Sequence, residues 1–405
     1  MPRLDNVGST DVTQRILQAQ QRSSPLSEKP ITKPFTLSVV MIVKDEEQYL
    51  ARCLDSLQPL KYDELILIDT GSTDRTVEIA QEYPNVKVFY FEWIHDFAAA
   101  RNFSISKATQ EWCMWIDADM YFLEEDAEKL HAILHNRLYQ HENNAFALML
   151  LNVDTDDAWN LARIWKRSDN LEFDSPVHEV LGPPERMQLR ALDITLQHDR
   201  DGQVGGLEYH DLLLKWLERD PEDQRALFYM AKHCHLMATQ AKTPKEVEDL
   251  YDEALKYYEQ AAQKGRDSGV YLNAGNIFYE RQQWQQALEY AFKAMEVDCT
   301  YAEPFILIAN CYDEMQQTLN AVAMYKCALG MERPFHTTKA TSQAMYDYVP
   351  CINLAQCYLK MHAIEEAISA YMGALKYAVD DQMRETAMSG LRYIYGNFQK
   401  MQLPT

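Results

Sequence analysis

Short apolar runs alternate with amphipathic stretches from Leu37 onward. LSVVMIV, beginning at Leu37, is apolar on both faces, as a strand buried between two layers must be. The EEQYLARCLDSL segment that follows has helical spacing. ELILID predicts a second strand and TDRTVEIAQEY a second helix. VKVFYF, FAAARNFSISKA and EWCMWID then predict a third strand, a third helix and a fourth strand. Further short strands are expected around Ala145–Leu151 and Leu161–Lys166. This order implies an α/β domain with a largely parallel, doubly wound sheet. Ligands of such sheets sit beyond the carboxyl ends of the strands.

After about Asp220 the strand-like runs stop and Ala, Tyr, Gln, Glu and Lys recur at helical spacing. The pattern also repeats. Ala274-Gly275-x-x-Phe278, Ala287 and Ala294 return as Ile308-Ala309-x-x-Tyr312, Ala321 and Ala328, each 34 positions on. That is the tetratricopeptide period, in which small residues let two helices approach and aromatics fill the gaps. Leu354-Ala355-x-x-Tyr358, Ala367, Tyr371 and Ala374 form a later copy after an insertion around Pro334–Tyr346. Met230-Ala231, Ala254, Tyr258 and Ala261 form an earlier, looser one, and a capping helix is expected at Met383–Lys400.

Composition narrows the function. The chain of 405 residues suits two or three domains. We expect an arm over 1–35, punctuated by Pro25, Pro30 and Pro34, an α/β domain over 36–220 and an all-α repeat solenoid over 221–400. Asp and Glu number 61 against 39 Lys and Arg, a formal charge of -22 that repels phosphate backbones and argues against nucleic acid as a partner. The 8 cysteines show no CxxC spacing, no run is long enough for a membrane span, and no signal-peptide core opens the chain. The expected compartment is the cytoplasm.

Acidic groups gather at the predicted strand ends. Asp45 follows the first strand, Asp69 the second, and Asp117-Ala118-Asp119 the fourth. Carboxylates converging on one sheet edge repel unless a cation neutralises them, and oxygen ligands suit Mg²⁺ or Mn²⁺.

VVMIVKDEEQYLARCLDSL, ELILIDTGSTDRTVEIA, the W-x-x-DFAAARNFSISKA segment, EWCMWIDAD and SPVHEVL together resemble glycosyltransferase family 2 from about Leu37 to Leu181. The likeness is to a subgroup that includes lipopolysaccharide-core glucosyltransferases and sublancin-type peptide S-glycosyltransferases, some of which carry tetratricopeptide repeats. It implies a GT-A fold, a nucleotide-sugar donor, UDP-linked by first expectation, a divalent metal and transfer with inversion. It also implies roles. Asp45 and Asp69 would line the base and ribose pocket, Arg101 and Asn102 would sit beside the nucleotide, and Asp117 would hold the ribose or a metal-bound water. Asp119 would ligate the metal. Thr70 stands where many relatives have a second Asp, and Met120 where they often have Glu.

Two further roles need residues. A metal held by Asp119 and a diphosphate has open positions that an imidazole can fill, from His178 in VHE or from His198 in ITLQHD. Inversion needs a base for the acceptor proton, with Glu179 first and Asp174 second. Arg163 and Lys166-Arg167 could face the diphosphate or form a solvated basic edge. The repeats favour a protein, peptide or glycan acceptor and offer a surface for a homodimer. A non-catalytic adaptor with a degenerate nucleotide-sugar domain is the rival reading, and a nucleotidyltransferase a third. Asp69-Thr70-Gly71-Ser72 mimics an aspartic-protease signature, but no apolar strand precedes Asp267-Ser268-Gly269 as a partner. His131 and His135 lie one helical turn apart without a third ligand, which favours a helix surface.

Overall fold

Seven residues, Leu37–Val43, form strand β1, and six of them are buried. The computed structural model describes residues 35–136, 143–155, 157–199, 207–334 and 339–401. Of the expected arm over 1–35, all but Phe35 lies outside the described residues.

β2 (Glu64–Asp69) and β3 (Val86–Tyr90) lie on one side of β1, and β4 (Trp112–Trp115) lies on the other. All four are parallel, joined through helices α1 (Leu50–Ser56), α2 (Thr76–Gln81) and α3 (Phe97–Lys107). Asp96 caps α3 by accepting from the Ala99 amide at 2.9 Å, which explains why DFAAARN opens a helix. Glu64 is buried and still ionisable because the sheet's own groups surround it. Ser38 Oγ, the Thr109 amide and Thr109 Oγ1 donate to its Oε1 at 2.7–2.8 Å, and Lys87 reaches Oε2 at 2.6 Å.

Beyond β4 the sheet is mixed, not largely parallel. It continues through β7 (Asp157–Lys166), β6 (Ala145–Asn152), β10 (Leu189–His198) and β5 (Met120–Phe122). β7 runs against both β4 and β6. The cause is a tight hairpin between β6 and β7, where Asn152 Oδ1 accepts from the Asp154 and Thr155 amides at 2.9 and 3.2 Å. So short a link forces antiparallel pairing. Helix α4 (Glu124–His135) follows β5, and its His131 Nδ1 lies 2.9 Å from the Leu60 carbonyl oxygen. β8 (Glu172–Asp174) and β9 (Val180–Gly182) form a separate hairpin.

The helical half begins at α5 (Leu207–Arg219) and continues through α6 (Gln224–Gln240), α7 (Pro244–Lys264), α8 (Ser268–Glu280), α9 (Trp284–Val297), α10 (Glu303–Glu314) and α11 (Thr318–Leu329). After the insertion come α12 (Tyr348–Lys360), α13 (Ile364–Tyr377) and α14 (Asp381–Met401). The repeat is visible in its turns. Gln282, Gln316 and His362 take left-handed φ values of 59, 60 and 56°. Beside each, the same bond closes the hairpin, from the Gln283, Gln317 and Ala363 amides to the Phe278, Tyr312 and Tyr358 carbonyls at 2.8–2.9 Å. The alanines at the helix crossings (Ala287, Ala294, Ala321, Ala328, Ala367 and Ala374) are fully buried. A Cβ at Gly390 would stand 2.2 Å from the Tyr371 ring, so α14 needs glycine there to cap the stack.

The repeats and the sheet are packed together in one compact unit that begins at Thr36. Val177 of the sheet domain is buried among Leu213, Trp216, Met230 and Tyr258 of the helices. The insertion adds a short strand, β11 (Thr341–Ser342), to β7 through Ala158 and Asp157. Among the described residues no helix is long and apolar enough to cross a membrane.

Candidate active site

The loops after β1 and β2 are laced to each other. Asp45, at φ 54°, accepts from the Thr73 amide at 2.7 Å and from Thr73 Oγ1 at 3.2 Å. The Asp45 and Glu46 amides donate to Ser72 Oγ and Thr76 Oγ1 at 3.0 and 2.7 Å. Asp69 is buried and accepts from the Gly71 and Ser72 amides at 3.2 and 3.1 Å, in a turn whose Gly71 φ of 111° excludes a side chain. Asp45 and Asp69 thus brace the two loops beside the adjoining cleft, whose lining includes their neighbours Lys44, Glu46 and Thr70 but neither of these carboxylates.

That cleft has a volume of about 430 Å³ and lies at the carboxyl ends of the parallel strands. Asp117, Asp119, Arg101, Glu179 and His198 reach it together. Arg101 is buried on α3 and donates from Nη2 to Asp117 Oδ1 at 2.8 Å and from Nε to Glu179 Oε1. Burial works against its charge, but Asp117 and Glu179 more than offset this and raise the guanidinium above its ordinary value. Arg163, on β7, sits 3.4 Å from the Trp115 ring centre and 4.0 Å from Asp117 Oδ2. Burial pushes it down to about 10, against the pull of Asp117, so it stays charged at neutral pH. Arg101 lies over the same ring at 4.3 Å. Two guanidiniums therefore lie against the Trp115 ring and both reach toward Asp117, countering the acidic turn's charge.

Asp119 is nearly buried, and its Oδ2 lies 3.4 Å from His198 Nε2 at the end of β10. A carboxylate and an imidazole on one cleft wall are an oxygen and a nitrogen donor; the oxygen suits Mg²⁺ or Mn²⁺, and the imidazole favours Mn²⁺ over the harder Mg²⁺. Among the described residues no three His, Cys, Asp or Glu side chains group as a metal site. An ion held here would need further ligands from outside these side chains, such as phosphate oxygens and water.

Three expected site residues are placed elsewhere. The His178 ring stacks on Tyr229 at 3.6 Å, with Nε2 2.6 Å from Tyr209 Oη. Burial, then Lys232 and Arg225, pushes it down to about 3, and it belongs to the packing of the repeats instead of the metal position. Asn102 bonds the Phe173 main chain at both ends of its amide, Nδ2 to the carbonyl at 2.9 Å and Oδ1 from the amide at 2.7 Å. It clasps α3 to β8, and both ends of its amide are engaged in that clasp. Asp174 is mostly exposed and bonded to Arg219 at 3.0 Å, away from the cleft.

Trp93, Phe97 and Val177 also line the cleft, the first two in an edge-on pair with centres 4.8 Å apart. In the sequence Trp93 stands only as the first letter of the W-x-x-DFAAARNFSISKA segment. Its place between a strand and the α3 cap was the available signal.

Residues 38–143 match the model of glycosyl transferase family 2. A TPR repeat-containing protein of Synechococcus elongatus is 37% identical over 147 residues, 36% of this chain and 35% of its own. The SPbeta prophage-derived glycosyltransferase SunS of Bacillus subtilis is 38% identical over 96 residues, 24% of this chain and 22% of its own. The crystal structure of S. aureus TarS 1-349 in complex with UDP aligns with 66% of this chain and 93% of that one, at 14% identity and a TM-score of 0.37. The chain spans about a third or less of the length of these two curated relatives.

Proposed function

We propose that the chain is an inverting, metal-dependent glycosyltransferase that moves a sugar from a nucleotide-sugar donor, UDP-linked by first expectation, to a protein, peptide or glycan acceptor. One observation carries this reading. Asp119 with His198, and Arg101 with Asp117 and Glu179, meet in one cleft at the strand ends, within and beside the residues that match the family.

In this reading the nucleotide lies against the β1 and β2 loops, where Lys44 and Thr70 face the cleft. Asp119 and His198 hold Mg²⁺ or Mn²⁺, which when bound neutralises charge growing on the departing diphosphate. Arg101 fixes Asp117 and Glu179 relative to each other. Its bond to Glu179 uses Oε1, and Oε2 takes the proton of the acceptor group as that group attacks the anomeric carbon. The wall that carries Glu179 is the one packed on the repeats, so the acceptor enters along that seam and is partly held by them.

The complete acidic set speaks against the degenerate-adaptor reading. The test is nucleotide release by the full chain from a panel of nucleotide sugars, with Mn²⁺ and with a chelator. Release from at least one sugar that stops on chelation is expected. No release from any of them would leave the adaptor reading.

A further inference from the structure

Two consecutive residues, His178 and Glu179, face opposite halves of the molecule. Glu179 pairs with Arg101 in the cleft, while His178 is seated in the first repeat helices. The segment that carries them is held, not relaxed. Ser175 and His178 take left-handed φ values of 81 and 52°, a region uncommon for non-glycine residues. The Pro176 carbonyl accepts from the Phe97 amide at 2.9 Å, and Val177 is buried against Trp216 and Leu213.

His178 is held by the helices. Its ring lies flat on Tyr229 with 11° between the planes, and edge-on to Tyr209 at 90°. Its Nε2 is 2.6 Å from Tyr209 Oη, and Arg225 donates to its carbonyl oxygen. Tyr209 lies on α5, and Tyr229 and Arg225 lie on α6.

We propose that the repeats position the reacting carboxylate, with His178 as the positioning residue through which α5 and α6 aim Glu179 into the cleft. The consequence for rate rests on the glycosyltransferase reading, whereas the grip itself does not. A carboxylate on an unsupported loop would sample many orientations. Here the preceding residue is fixed on three sides, and one peptide unit separates that anchor from Glu179.

Two variants of the full chain test this. His178→Asn keeps a residue tolerant of the left-handed region but loses the stacking and the reach to Tyr209. Tyr209→Phe removes only the hydroxyl. In each, hydrogen exchange of the peptide spanning 175–180 is measured, with UDP affinity in Mn²⁺ and nucleotide release from whichever sugar the wild type turns over. Exchange should rise about 10-fold or more, and release should fall about 10- to 100-fold, the scale of a misplaced reacting group. UDP affinity should stay within about twofold, and the double variant should cost little beyond His178→Asn alone, because that substitution already removes the contact that Tyr209→Phe removes. Wild-type exchange in folded variants overturns the proposal, as does a loosened loop with an unchanged release rate. A wild type that releases no nucleotide, while the variants' loops loosen, supports the grip and overturns the functional reading.

Discussion

His198 Nε2 lies 3.4 Å from Asp119 Oδ2 because β10 and β5 run antiparallel with His198 opposite Met120. The Asp199 amide donates to the Asp119 carbonyl at 3.1 Å and fixes this register one residue beyond the strand. His198→Ala should therefore weaken Mn²⁺ dependence of UDP binding by about 10- to 100-fold. His178→Ala should leave Mn²⁺ affinity within about twofold, because that ring is engaged with Tyr209 and Tyr229. Calorimetric titration of Mn²⁺ in the presence of UDP checks both, and the reverse ranking would restore His178 as the ligand.

Arg101→Met should destabilise the fold. The guanidinium is buried between Asp117 and Glu179, and its loss leaves two carboxylates without their shared partner. Breaking a buried pair in this way costs about 3–5 kcal/mol. Urea unfolding gives the value, and a change below about 1 kcal/mol would show that solvent reaches and screens the cluster.

The fold and its acidic edge could be read from the sequence because each rests on local signals. Short, mostly apolar runs such as LSVVMIV and ELILID have the length of buried strands, and the turns at Gln282 and Gln316 repeat at the same interval as the alanines. Asp117 and Asp119 were visible for the same reason, since each stands just past an apolar strand. Partnership across space was not legible. Nothing in the letters of ARN says that Asn102 clasps Phe173, 71 residues away, while its neighbour Arg101 turns to the cleft. Similarly, HE does not show which of the pair points inward. The choice between His178 and His198 depended on strand register, and the β6–β7 hairpin that breaks the parallel order depends on one Asn side chain.

Acid should remove stability through Glu64. Burial alone would raise its carboxyl, but bonds from Lys87, Ser38 and Thr109 bring it from 4.5 down to about 2. A lowered folded-state pKa stabilises above about pH 4.5, and the contribution is lost as pH falls toward 2. Because Lys87 is half-exposed and screened, we assign about 2 kcal/mol. Glu64→Gln should flatten the decline in unfolding free energy between pH 5 and pH 2 by about that amount. An unchanged slope would place the acid sensitivity elsewhere.

A chain ending at Arg219 should not reach a native fold. Trp216 and Leu213 of α5, and Val177 of the sheet domain, are buried against α6 and α7, and would be laid bare. Near-ultraviolet circular dichroism should show lost aromatic packing, with far-ultraviolet signal largely kept. A cooperative, native-like spectrum would show that the sheet domain is independent of the repeats.

The most direct test is nucleotide release from a sugar-nucleotide panel by the wild type, Asp119→Asn and Glu179→Gln, each with Mn²⁺ and with a chelator. The wild type should release nucleotide from at least one donor only when metal is present. Asp119→Asn should fall to the chelated rate. Glu179→Gln should slow release by about 10²- to 10⁴-fold while UDP affinity is retained, the signature of a lost base. Full metal-dependent release by both variants would contradict the assignment of this cleft as the place where the sugar is transferred.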